Sequence, residues 1–133
     1  MKKPLLLTLM TLASYSSLAA TSVDLVKSTQ SWDGTPLPTY HLTQPEVTIK
    51  EIIIEPGERL PLHIHPVINA GVLLEGTLTV KLKEKEITLN AGDGLIEVMN
   101  KPHFGINPGT TPAKIIVFYL AEKGETVTLL ETE

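Results

Sequence analysis

From residue 46 onward the chain alternates apolar and polar positions over short stretches. In "TLTVKL" (77–82) Leu78, Val80 and Leu82 share one face, while Thr77, Thr79 and Lys81 share the other. This two-residue period marks a half-buried strand. "EVTIKEIIIE" (46–55), "GVLLEG" (71–76), "ITL" (87–89), "LIEVM" (95–99), "AKIIVFYL" (113–120) and "TVTLL" (126–130) have strand length and composition. Between them lie the turn-forming stretches Pro56-Gly57, "KEKE", "NAGDG" and "NKPH". No window outside the first twenty residues carries a helical period. Strands this short, separated by turns this regular, predict an all-β sandwich or barrel.

The first twenty residues have a different character. Lys2 and Lys3 precede an uncharged apolar stretch, Leu5 to Leu18, which ends in "SLAA". That is the layout of a secretory signal peptide, with cleavage expected after Ala19 or Ala20; the alternative is a short N-terminal helix. Residues 21–45, with Pro36, Pro38 and Pro45, read as an N-terminal arm lying on the barrel. Neither Trp32 nor the Pro-rich turn in this arm signals chemistry. Residues 46–133 form the barrel domain, and no internal repeat is present.

Composition narrows the function classes. At 133 residues and 42% apolar content the chain suits one domain. The net charge is −4, and without Lys2 and Lys3 nine basic residues face fifteen acidic ones, giving −6. Nucleic acid is therefore not the expected partner. No second apolar stretch has membrane-spanning length, so after signal cleavage the protein is expected free of the membrane, in the periplasm or secreted. The absence of cysteine removes disulfides, thiolate catalysis and thiolate metal ligands. Any metal here relies on His, Asp, Glu or amide oxygen.

Three of the four histidines stand at predicted strand starts. His63 and His65 are two residues apart, so on a strand both side chains point to one face, about 6.6 Å apart. His103 follows the "NKPH" turn, where an antiparallel neighbour can bring it to the same interior. The bland alternative for "HIH" is a pair of exposed strand histidines. His41 lies outside this pattern and reads as a surface or packing residue.

The spacing of these residues resembles the two motifs of the cupin superfamily. Gly57, five residues, His63-Ile64-His65, three residues, Asn69, six residues and Gly76 reproduce the first. Gly92, five residues, Val98, one residue, Asn100, two residues, His103, three residues and Asn107 reproduce the second. Every spacing is kept. Three identities depart: Asn69 stands for the usual glutamate, Val98 for a proline and Asn100 for a glycine. The resemblance implies a cupin-type double-stranded β-helix, a jelly-roll-like barrel, in a small protein that is often a homodimer. It also implies a divalent metal held by His63, His65 and His103.

Physical chemistry supports these positions independently. Gly57, Gly76 and Gly92 sit where strands reverse, Asp93 suits a turn, and Asn107 suits a structural bridge, because amides are weak ligands for transition metals. Asn69, read as lying on one strand with His63 and His65, shares their parity and faces the same interior. Its amide can ligate the ion, bond a metal-bound water or hold a substrate. With three neutral imidazoles and a neutral amide, a divalent ion keeps its full charge, which favours an anion from solvent or substrate. Glu97 is out of place in an apolar run: either its strand face is exposed, or it lies inside the barrel as an added ligand or general base.

These features predict an exported metal-binding protein, a dioxygenase-like or isomerase/lyase-like enzyme acting on a small anionic molecule. Glu97 is its candidate catalytic residue, and His63, His65, His103 and Asn69 its candidate metal residues. Iron, zinc, manganese, nickel and copper all suit such donors. The alternatives are a non-catalytic small-ligand-binding cupin and a structural cupin whose histidines are relics.

Overall fold

The computed structural model describes residues 20–132. The expected signal peptide thus lies almost wholly outside the described residues. Among the described residues nine strands follow one another: β1 (Pro45–Ile54), β2 (His63–Ile64), β3 (Ile68–Glu75), β4 (Thr77–Lys81), β5 (Glu86–Asn90), β6 (Gly94–Ile96), β7 (Phe104–Ile106), β8 (Ala113–Glu122) and β9 (Leu129–Leu130). No helix occurs among the described residues. All pairings are antiparallel, in a four-stranded sheet β1-β8-β3-β6, a three-stranded sheet β5-β4-β7 and a two-stranded ribbon β2-β9. The expected all-β barrel is the architecture found.

The longest ladder joins β1 to β8 over ten residue pairs, from Pro45 opposite Glu122 to Ile54 opposite Ala113. Along β8 the two-residue period is clean, with Ala113, Ile115, Val117, Tyr119 and Ala121 buried. They meet Leu73 of β3, Leu78 and Val80 of β4, Leu89 of β5 and Leu95 of β6 in one apolar core. Burying each such side chain contributes about 1.5–3 kcal/mol.

Two glycine positions of the motifs show what the backbone demands. Gly76 joins β3 to β4 at φ 77°, and a Cβ there would stand 2.5 Å from the Pro112 carbonyl oxygen. Only glycine fits that approach. Asn100, which replaces a glycine of the second motif, is the one non-glycine with positive φ among the described residues, at 53°. Asparagine tolerates this left-handed conformation best among residues with a Cβ.

The structure corrects three sequence-based boundaries. His63, His65 and Asn69 do not share one strand: the chain bends at Pro66 and Val67, where proline offers no N–H to a ladder. "LIEVM" ends as a strand at Ile96, because the Glu97 backbone turns to meet the arm. Finally, β7 is a three-residue strand beyond the reach of periodicity, yet it pairs with β4 and positions the segment after His103.

Candidate metal centre

His63 begins β2, and its backbone exchanges two hydrogen bonds with that of His103 across an isolated antiparallel bridge (3.0 Å each). This pairing brings the third histidine beside the first, as the sequence anticipated. His65 follows on the same side. The three imidazoles form a triangle with ring centroids 4.4–5.0 Å apart. One nitrogen from each lies within 4.8 Å of the others.

The backbone sets the tautomers. The Nδ1 atoms of His63, His65 and His103 lie 2.7, 2.9 and 2.7 Å from the carbonyl oxygens of Pro61, Val127 and Lys101. A carbonyl only accepts, so each Nδ1 carries the proton and donates, leaving the Nε2 lone pair free. Outer hydrogen bonds of this kind orient imidazole ligands in metal sites. Nε2 of His103 and Nδ2 of Asn69 are buried without a hydrogen-bond partner among the described residues. An unsatisfied buried polar atom costs about 1–3 kcal/mol; a metal ion would relieve it at His103 Nε2, and a hydrogen-bond acceptor on a bound ligand would relieve it at Asn69 Nδ2. Three imidazole nitrogens gathered within 4.8 Å, with their lone pairs free, fit a divalent transition metal.

Glu97 does not lie on an exposed strand face. It is 7% exposed, packed among buried side chains directly after β6. Its Oε1 accepts hydrogen bonds from the Trp32 indole N–H (2.7 Å) and the Val98 backbone N–H (2.8 Å), while Oε2 stands 3.8 Å from His103 Nε2. That gap is too long for a hydrogen bond. Burial pushes the Glu97 carboxyl up and the His103 imidazole down, so the barrel interior disfavours charge on both when no ion is bound.

Asn69 is 3% exposed on the inner face of β3. Its interior placement agrees with expectation, but it comes from β3 parity with Gly71 and Leu73 rather than from parity with the histidines. The Glu97 N–H donates to the Asn69 carbonyl oxygen (3.1 Å), so the two residues are cross-strand neighbours at the cluster. Asn107 is fully buried and purely structural: its amide bonds the carbonyl oxygens of Ile54 and Thr111 and the N–H of Gly109. Asp93 closes its turn by accepting from the Asn90 N–H, and His41 is exposed.

The cluster opens into a cavity of about 280 Å³ whose walls include Ile52, Leu78, Val80, Leu95, Ile115 and Val117. Three residues of this cavity were not singled out from the sequence. Tyr119 places its ring 5.5 Å from that of His65, Thr128 lines the wall, and Lys50 sits at the mouth with Nζ 5.4 Å from the Tyr119 ring centre. The inner-face parity of β1, which puts Lys50 beside Ile52 and Ile54, was the available signal.

Burial lowers His63 and His103 and holds His65 at about 4, below the ordinary 6.5. The unfolded chain therefore binds more protons than the folded one between these values. Metal-free stability should fall as pH drops from 6.5 toward 4, by up to about 1.4 kcal/mol per pH unit from His65, with His63 and His103 acting in the same direction. Glu97 acts in the opposite sense: its raised value favours the folded state below the ordinary carboxylate range, and that contribution is lost as pH rises. Because three groups oppose one, urea midpoints of metal-free protein should decline toward acid. A midpoint constant across this window would contradict burial of three neutral imidazoles.

Residues 50–119, more than half of the chain, match the Cupin domain family. No curated protein matches the sequence. Among solved structures, oxalate oxidase in complex with the substrate analogue glycolate is 24% identical with a TM-score of 0.55, over 63% of this chain and 45% of that one. A DMSP lyase from Ruegeria pomeroyi is 19% identical with a TM-score of 0.55, over 65% and 45%. A cupin-superfamily sugar phosphate isomerase from Silicibacter pomeroyi is 20% identical with a TM-score of 0.51, over 56% and 50%. The chain spans half or less of the length of each, and at these identities the likeness is one of fold. The barrel, both spaced motifs and the match over residues 50–119 together show that the chain belongs to the cupin family.

Proposed function

We propose that this chain is an exported, metal-dependent cupin enzyme, dioxygenase-like or isomerase/lyase-like, acting on a small anionic molecule. The observation that carries this reading is the convergence of three Nε2 lone pairs whose tautomers are fixed by backbone carbonyls. His63, His65 and His103 would hold the ion, with the Asn69 amide beside them. A bound divalent cation supplies Lewis-acid polarisation of a substrate oxygen. Glu97, whose free Oε2 faces the cluster, is the group to accept or return a proton at the substrate. Lys50, which lines the cavity, favours entry of an anion, and the mostly apolar walls strengthen electrostatic interactions at the cluster.

Metal analysis of protein from its native host, followed by an oxygen-uptake and substrate screen, tests the reading. One transition-metal ion per chain with turnover that stops on chelation is the expected result. The mostly apolar cavity wall favours a second reading, a non-catalytic small-ligand-binding cupin. That reading would prevail if ligand binds the loaded protein and emerges unchanged.

Export rests on the residues before Thr21, so protein from the native host should begin near Ala20 or Thr21. Intact mass decides this, and the full-length mass would overturn it. The net charge of −6 left after cleavage argues against nucleic acid as a partner. Self-association is supported by the outer face of the four-stranded sheet. There Val47 is 62% exposed and Ile49 59%, and Ile49 lies opposite Phe118, itself 46% exposed. Sedimentation should show a dimer that Ile49→Lys converts to monomer, and a monomeric wild type would exclude it.

A further inference from the structure

Segment 31–32 of the N-terminal arm is tied to the strand end that carries Glu97. The Trp32 N–H donates to the Ile96 carbonyl oxygen (2.9 Å), and the Ser31 hydroxyl donates to the Glu97 carbonyl oxygen (2.9 Å). Next to them the arm is held again by the Lys101–Asp33 ion pair. The Trp32 indole, packed against the core, then reaches the Glu97 carboxylate itself. Both hydrogen bonds to that carboxylate fall on Oε1, one from Trp32 and one from Val98. A proline at position 98 would have no N–H to give. Among the described residues Oε2 accepts no hydrogen bond, and at 3.8 Å it stands as near to His103 Nε2 as the three histidine nitrogens, gathered within 4.8 Å, stand to one another.

We infer that Trp32 is a positioning residue for the metal centre: with the Val98 N–H it pins Glu97 Oε1, so that Oε2 is presented to the three histidines and the arm becomes part of the site. Two N–H bonds on one oxygen leave the carboxyl little freedom to rotate, and once a bound ion favours the carboxylate they become charge-assisted, the strong class. Glu97 thereby reaches from the end of β6 into the space beside Asn69, its cross-strand neighbour, and brings the negative charge that Asn69 lacks. The inference rests on the metal-centre reading above.

Trp32 is the chain's single tryptophan, so its emission reports on this contact. Zinc titrated into metal-free protein should shift Trp32 emission. In Glu97→Gln the histidines should still bind zinc, but the emission shift should be lost. Trp32→Phe keeps an aromatic ring and removes the N–H. It should weaken zinc binding about tenfold, the lower end of outer-residue effects on metal affinity. In a Glu97→Gln background the same substitution should cost nothing further, because residues that act through one another do not contribute additively. Losses that add, or an emission shift that survives Glu97→Gln, would overturn the inference while leaving the metal centre intact. A wild type that takes up no zinc would overturn both. Should Trp32→Phe fail to fold, the wild-type and Glu97→Gln emission titrations decide alone.

Discussion

Protein loaded with metal at a thousand times its dissociation constant is expected to melt about 10–30 °C above metal-free protein. Binding to the folded state alone contributes about 4 kcal/mol at that excess, and a domain of this size gains several degrees per kcal/mol. The unfolded chain has no equivalent site, because His103 lies forty residues from His63 in sequence and is brought beside it only by the β-bridge. His63→Ala or His103→Ala should therefore abolish the shift. The comparison is made within each variant, with and without metal, so that any packing lost with the ring cancels. Identical melting of wild type in both conditions would mean that the histidines are relics.

The parts of this site legible in the sequence are those set by local geometry. His63 and His65 are two residues apart and His103 follows a turn, so period and punctuation alone place them on inward faces near strand starts. The barrel was legible for the same reason: β8 carries its inner and outer faces in strict alternation, and β4 does so except where Thr79 is buried and bonded to Thr88. Asn107 was legible because an amide at a strand end has few uses other than bridging backbone.

Contacts between distant segments were not legible. Trp32 and Glu97 are 65 residues apart, and nothing in the arm's composition marks the indole as the partner of a buried acid. Glu97 itself was ambiguous because "LIEVM" has apolar residues on both faces, so parity names no inside. The bend at Pro66 had the opposite effect. It broke the strand on which Asn69 was counted, yet β3 resumes at Ile68 in a phase that again turns Asn69 inward.

Moving the carboxylate between positions 97 and 69 is the most discriminating substitution, because the two residues are neighbours across adjacent strands. Glu97→Gln keeps the shape and the hydrogen-bonding length but removes the charge, and metal affinity should fall by about 10- to 100-fold. The loaded site then carries one more unit of positive charge, so a probe anion such as azide should bind more tightly. Asn69→Glu alone has the reverse character. It places a second acid beside Glu97, and two like charges sharing a buried site force one carboxyl to remain protonated. Metal-free protein should lose stability, and the loaded site should lose azide affinity. The double variant, Asn69→Glu with Glu97→Gln, restores a single carboxylate, now on β3. If the ion lies between the two strands, this swap should recover most of the metal affinity lost in Glu97→Gln and return azide binding toward that of wild type. A double variant as weak as Glu97→Gln would show that position 69 does not reach the ion. Unchanged metal and azide affinities in Glu97→Gln would show that the centre consists of the three histidines and water.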